Sequence, residues 1–304
     1  MSSGRKENKP YQKNPRTGPF VARILGSLLL ILLTTTAILG CFAAIYIKNC
    51  IKPNVSLNLN DFFKNLNSEI YYTDPDTGQP VKLQNLNGEE NRVWVQYKNM
   101  PKALEYAAIS IEDKRFYDHH GVDWYRTIGA FFNMFMDAKD NFGGSTITQQ
   151  LIKNLTNENQ VTVQRKILEI FRALEFEKKY TKQEIMEWYL NYIYFGEGSN
   201  GINSAAETYF AKPVSELSIA ECASLIGITN NPSKYDPYIN PSGNKERQEL
   251  ILKEMYGQNY ITKQQYDEAV SEQLVLKRSE VSRKNNPFIP IMWIRSSATL
   301  FPTL

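Results

Sequence analysis

Histidine and cysteine are scarce in this chain. Among 304 residues the only histidines are the neighbours His119 and His120. A zinc site assembled from several histidines is therefore excluded. The three cysteines, Cys41, Cys50 and Cys222, have no metal-ligand spacing, and their odd number implies no disulfide framework. Cys222 lies in a helical pattern and reads as a small buried hydrophobe. A basic surplus is missing as well. The net charge is +3, and residues 1–23 alone hold Arg5, Lys6, Lys9, Lys13, Arg16 and Arg23 against Glu7. The remainder is slightly acidic, which gives no basic face for nucleic acid. No internal repeat is visible.

What the chain does have is one long apolar run. Ile24–Ile47 contains no charged residue. As a helix of 24 residues it reaches ~36 Å, enough to cross a hydrocarbon core of ~30 Å. It is too long for a cleaved signal peptide, and no clear small-residue cleavage site follows. The cations precede it, which places the N-terminus in the cytoplasm and the rest outside. Residues 1–23 then read as a basic cytoplasmic tail and 24–47 as a transmembrane helix. An Asn-rich stalk over 48–67, a folded domain over 68–275 and a linker-like tail over 276–304 follow.

The folded part reads as mainly α, with a small membrane-proximal β-hairpin. Ile70–Thr73, a turn at 74–78 and Val81–Leu83 form the hairpin, and Val93-Trp94-Val95 suggests another short strand. From Pro101 the spacing is helical. Leu104, Ala107, Ala108 and Ile111 make a stripe ending at Glu112. Thr181 with Glu184, Ser218 with Glu221 and Thr262 with Gln265 are helix-start signatures. Ile185, Trp188, Tyr189, Tyr192 and Ile193 stripe the helix after Thr181, and Gly196 can close it.

The residue types suited to chemistry cluster within sixty positions. Glu112 sits at a helix C-terminus, where the dipole disfavours a charged carboxylate and a general base finds a suitable setting. A surface acid at a frayed helix end is the alternative. Gly143-Gly144 allows close backbone approach, and Ser145 is placed to cap the next helix. Thr146, Gln149, Gln150 and Lys153 share one polar face, which reads either as an anion and hydroxyl surface or as a solvated face. Glu169 lies on a helix over 164–180 whose core stripe is Ile167, Ile170, Phe171 and Leu174. It is either a second cleft acid or half of a surface pair with Arg165. The apolar stretch Ile128–Met136, too short to span a bilayer, is either core or a segment that dips into a membrane surface. His119 and Tyr117 read as structural. Ser242-Gly243-Asn244-Lys245 matches a nucleophile pattern by chance, because no Lys-Thr-Gly element follows.

Taken together these residues resemble family 51 glycosyltransferases, the peptidoglycan transglycosylase domain of class A penicillin-binding proteins and their monofunctional relatives. EDKRFYDHHGVD (112–123) resembles the first family motif, GGSTITQQLIKN (143–154) the second, RKILE (165–169) the third and IMEWYLNYIYFG (185–196) the fourth. NGINSAAETYFAK and NPSKYDP continue the match over roughly residues 68–275. The resemblance implies a lysozyme-like helical fold with a membrane-touching jaw, and polymerisation of lipid II into β-1,4 glycan strands with release of undecaprenyl pyrophosphate. It implies that Glu112 is the base and Glu169 the second catalytic acid, with Ser145, Thr146, Gln149, Gln150, Lys153, Arg165, Lys166 and Asn191 as substrate contacts. Phe131, Phe132, Met134 and Phe135 become membrane contacts. No metal ligand is assigned, and a divalent cation such as Mg2+ at Glu169 is left open. Lipid II, the nascent glycan strand and the membrane are the expected partners, other cell-wall synthesis proteins are candidates, and nucleic acid is not. A lysozyme-like muramidase and a non-catalytic cell-wall scaffold are the rival functions.

Two departures stand out. Family members often carry an acidic-Arg-Ser run before the third motif, whereas this chain reads Asn157-Glu158-Asn159-Gln160-Val161, with no arginine between Asn154 and Arg165. Bifunctional relatives continue into a transpeptidase domain, which Ile289–Trp293 does not begin. The chain is expected to be either monofunctional or a piece of a longer protein.

Overall fold

The computed structural model describes residues 18–62, 68–73, 80–86, 93–135, 144–160 and 162–277, with backbone only at 18–22, 68–73, 80–86 and 131–135. The expected cytoplasmic tail up to residue 17, Met136, Gly143 and the tail from residue 278 lie outside them. The chain divides into two compact units, Met1–Asn54 and Val55–Leu304.

The first unit contains one helix, α1, Gly18–Tyr46. A π turn, Ile47–Ile51, and a 3-10 turn, Lys52–Asn54, continue it. Arg23–Asn54 forms a 32-residue segment long and apolar enough to cross a membrane, and none of its most apolar window is buried. An apolar helix exposed all round has lipid as its natural solvent.

Among the described residues the second unit is helical apart from one hairpin. Strands β1, Ser68–Thr73, and β2, Pro80–Leu86, pair antiparallel, with a register irregularity between Ile70 and Tyr71. Val93-Trp94-Val95 is not a strand. Its backbone groups are satisfied by a side chain instead: Val95 N–H donates to Asn191 Oδ1 (2.9 Å), and Asn191 Nδ2 donates to Val95 O (2.8 Å). Residues 55–62, expected within a stalk, dock on this unit. Leu59 is buried in its core, and Leu59 N–H donates to the Tyr180 hydroxyl (3.0 Å).

The helices are α2, Lys102–Glu112, α3, Trp124–Phe135, α4, Ile147–Thr156, α5, Val163–Lys179, α6, Lys182–Tyr192, α7, Ile202–Phe210, α8, Ile219–Asn230, α9, Pro232–Tyr235, α10, Pro241–Gly257, and α11, Lys263–Ser271. Helix α8 is buried from Ala220 to Ile228 and packs against α2 and α10. Its run of small and aliphatic residues has no polar face, which suits a central helix. Glu221 is its exception, closing the capping box of Ser218 and pairing with Lys212 (2.6 Å). Burial pushes the Cys222 thiol up, so it stays protonated as a core hydrophobe. The capping boxes at Thr181, Ser218 and Thr262 all form. Helix α6 stops at Tyr192 and not at Gly196, whose positive φ of 83° serves the bend that follows.

Helix α4 packs against both α5 and α6. Helix α5 differs from its sequence reading. Its buried residues are Glu169, Arg172, Ala173 and Phe176, while Ile167, Ile170, Phe171 and Leu174 are only half-buried. A polar site lies against this helix, so the buried face is set by charges rather than by its most apolar stripe.

Candidate active site

Helix α2 delivers Glu112 as its last residue. The chain turns there because Asp113 leaves the helix at φ −152° and inserts a fully buried carboxylate behind it. That carboxylate accepts from the Ile147 N–H at the start of α4 (3.0 Å) and from His119 Nε2 (3.0 Å). A carboxylate at a helix N-terminus satisfies an orphan donor and meets the positive end of the dipole. Asp113 thus fastens the C-terminus of α2 to the N-terminus of α4. His119 braces that junction and Tyr117 donates to Glu105, in line with the structural reading of both.

Thr146, not Ser145, caps α4. Its hydroxyl accepts from Gln149 N–H (3.2 Å) and donates to Gly121 O (2.7 Å), while Gln149 Oε1 accepts from Thr146 N–H (3.0 Å). Gly121 is required at this contact: with φ +87°, a Cβ there would lie 2.3 Å from Ala173 O. The loop after α2 is therefore clamped between α4 and α5.

These elements enclose a groove of ≈ 1290 Å³. Glu112 and Glu169 both line it, together with Ser145, Gln149, Gln150 and Lys153. Glu112 accepts from Gln150 Nε2 (2.8 Å), and its backbone carbonyl accepts from Arg126 Nη1 (2.6 Å). The fully buried Tyr189 hydroxyl approaches Gln150 Oε1 (3.4 Å), and burial holds that phenol well above its ordinary range, so it remains a donor. Glu169 is buried and accepts from Arg165 Nη1 and Lys166 Nζ, each at 2.5 Å. Lys166 also donates to Ser145 Oγ (2.8 Å).

The expected contacts therefore sort into groups. Ser145, Gln149, Gln150 and Lys153 face the groove. Arg165 and Lys166 are not part of its wall and reach it through Glu169. Thr146 is buried in the cap, and Asn191, off the groove, ties Val95 to α6. Phe131, Phe132, Met134 and Phe135 lie in α3 and Met136 beyond the described part, so no contact of their side chains is drawn. The Ser242–Lys245 pattern does not line the groove; Lys245 Nζ donates to Val270 O (2.7 Å).

Sequence reasoning assigned no role to Lys114, Arg115, Arg126 and Arg247, which also line the groove. Lys114 pairs with Glu254 (2.6 Å) and Arg115 with Asp123 (2.5 Å). Lys153 has no ion-pair partner among the described residues. Position beside Glu112 was an available signal for Lys114 and Arg115. Nothing local marked Arg247, 135 positions away from Glu112.

A family model described as transglycosylase matches residues 79–256, more than half of the chain. The chain belongs to the transglycosylase family. Penicillin-binding protein 2D of Bacillus subtilis (strain 168) is 41% identical to this chain over 209 residues, 68% of the chain and 30% of the relative. Penicillin-binding protein 1A of Vibrio cholerae is 36% identical over 259 residues, 85% of the chain and 30% of the relative. The chain thus spans about 30% of the length of these relatives. A crystal structure of penicillin-binding protein 1A from Haemophilus influenzae aligns with a TM-score of 0.40 at 24% identity, covering 71% of this chain and 22% of that one.

Among the described residues, no group of three or more His, Cys, Asp or Glu gathers as a metal would require. The partners of Glu169 are two cations, a donor set that does not fit a divalent ion.

Proposed function

We propose that this protein is a membrane-anchored peptidoglycan glycosyltransferase that polymerises lipid II. One observation carries the reading: Glu112 and Glu169, 57 positions apart in sequence, line one groove. In this reaction Glu112 removes the proton from the 4-hydroxyl of the acceptor GlcNAc. The freed oxygen attacks C1 of the donor MurNAc, the bond from C1 to the pyrophosphate oxygen breaks, and undecaprenyl pyrophosphate departs with inversion. Gln150 orients Glu112 by donating to it.

Donors for the departing pyrophosphate are at hand. Lys153 brings a charge with no ion-pair partner among the described residues, and Gln149 brings a buried Nε2 with no protein acceptor among them. A buried amide left without an acceptor is costly unless a ligand supplies one. Arg165 and Lys166 serve the same end less directly, by fixing Glu169 against the groove. The α1 segment supplies the anchor, and the basic residues before it support a cytoplasmic N-terminus with the groove on the outer side.

The test is polymerisation of lipid II by the full chain in detergent or vesicles, followed by separation of glycan products. Polymer from the wild type and none from Glu112→Gln, with an unchanged melting temperature, is the expected result. The Glu-to-Gln exchange removes the base while keeping shape, so the loss should exceed about a hundredfold. Turnover of the variant at the wild-type rate overturns the assignment of the base. Shortening of preformed glycan in place of polymer formation supports a muramidase.

A further inference from the structure

The groove wall carries Lys114, Arg115, Arg126, Lys153 and Arg247. Three of these cations are engaged by the protein: Lys114 with Glu254, Arg115 with Asp123, and Arg126 with the Glu112 carbonyl. Lys153 and Arg247 have no ion-pair partner among the described residues. They come from different sets of helices. Lys153 lies on α4, which packs on α5 and α6, and Arg247 lies on α10, which packs on α2 and α8. Glu112 joins the two sets, since Gln150 of α4 donates to its carboxylate and its own helix α2 packs on α10.

The Arg247 side chain is held in place without a counter-charge. Its stem lies on Gly227 of α8, where a Cβ would come within 3.1 Å of Arg247 Cγ. Its guanidinium stands 5.7 Å from the centre of the Tyr235 ring. Its Nε is buried with no acceptor among the described residues. A buried N–H left without an acceptor is costly unless a ligand supplies one, and the planar guanidinium fork matches two anionic oxygens. Arg247 precedes Glu254 by seven positions, about 10 Å along α10 at ~1.5 Å per residue. Lys114, two positions after Glu112, holds Glu254. An anion at Arg247 therefore sits well along the groove from the loop that carries the base.

We propose that Arg247 is a binding residue for an anionic group of the acceptor, the substrate molecule whose 4-hydroxyl Glu112 deprotonates. This inference rests on the glycosyltransferase reading of the groove. There Lys153 and Gln149 serve the departing pyrophosphate, which leaves the α10 side to the acceptor. Beyond its terminal sugar an acceptor lipid II carries two anionic groups, the pyrophosphate on C1 of its MurNAc and the carboxylates of its stem peptide. Either one offers the paired oxygens that a guanidinium fork takes.

The experiment compares three full-length proteins in lipid II polymerisation: wild type, Arg247→Met and Arg247→Lys. Methionine keeps a long side chain over Gly227 without the charge, and lysine keeps the charge without the fork. Arg247→Met should raise KM about tenfold or more, the scale of one lost charge-assisted hydrogen bond, with kcat within about twofold and the melting temperature unchanged. Arg247→Lys should recover at least about threefold of that rise. A second substrate, lipid II with its stem-peptide carboxylates amidated, separates the two sources. If the KM difference between wild type and Arg247→Met vanishes with it, the bound group is a stem carboxylate; if the difference persists, it is the acceptor phosphate. A folded Arg247→Met with wild-type KM overturns the proposal, as does a loss confined to kcat or an Arg247→Lys no better than Arg247→Met. Should Arg247→Met melt early, Arg247→Lys decides: folded with a KM raised about threefold or more supports the proposal, and folded with wild-type KM overturns it. A wild type that makes no polymer takes down the glycosyltransferase reading and this inference with it, whereas an active wild type with an indifferent Arg247→Met takes down this inference alone.

Discussion

At the scale of single residues, part of the stretch 112–123 serves the framework around Glu112 and does not line the groove itself. Asp123 illustrates this. It accepts from Arg115 Nη2 (2.5 Å) and Nε (2.9 Å), and from the Arg126 N–H (3.0 Å) at the start of α3. Burial alone would push its carboxyl up, but the Arg115 and Arg126 hydrogen bonds outweigh burial and hold it below the ordinary range. A carboxylate with a depressed folded value stabilises the protein above its unfolded value of about 4 and loses that contribution as pH falls through the lower folded value. Asp123→Asn keeps a side chain able to cap α3 but removes the charge. Its melting temperature should lie below the wild type at pH 7, and the gap should close below about pH 4. Melting curves at pH 7, 5 and 3 check this; a constant gap would show that the ion pair is not the cause.

Elements explain what was legible in the sequence and what was not. Helices α6, α8 and α11 could be read from their capping boxes and α2 from its apolar stripe, because both are local signals. Helix α5 was misread on its buried face, because its inward residues include a glutamate paired with two cations of the same helix and an arginine paired with Glu158 before it. Apolar periodicity cannot register a buried ion pair. The packing of Asn191 was not legible for a related reason. A family motif places it, but only the fold reveals that Val95, 96 positions earlier, uses its amide as a substitute strand. The cap of α4 was displaced by one residue, from Ser145 to Thr146, since either hydroxyl suits the signature. That displacement separates their roles: Ser145 stays in the groove and Thr146 holds α4 to Gly121. Thr146→Ala should cost about 1–3 kcal/mol, because it removes a cap and leaves a buried carbonyl unpaired. Thr146→Ser should recover most of that loss. Urea unfolding of the three proteins measures it, and equal stability of all three would show that α4 does not depend on this hydroxyl.

The whole molecule combines a span that needs lipid with a folded unit whose core is complete within residues 55–277. The folded unit also carries an apolar surface of its own. On α3, Trp124 and Ile128 are 51% and 52% exposed, one helical turn apart. Phe131 and Phe135 continue that register in sequence. Large exposed apolar residues in one helical row are costly in water and suit an interface with lipid. A substrate with a lipid tail reaches the groove most directly from such an interface, since Tyr125, Arg126, Gly129 and Ala130 of the same helix line the groove. The folded unit should therefore bind a bilayer without α1. A fragment beginning at Val55 should sediment with phosphatidylglycerol vesicles. Trp124→Ser/Ile128→Ser should weaken that binding at least about a hundredfold, at roughly 1.5–3 kcal/mol for each large apolar side chain kept from lipid. Polymerisation of lipid II in vesicles should fall with it, while turnover in detergent, where no bilayer has to be found, should change far less. If the fragment ignores vesicles, or the double variant binds them as well as its parent, α3 is not a membrane surface. The span alone then brings the groove to its substrate.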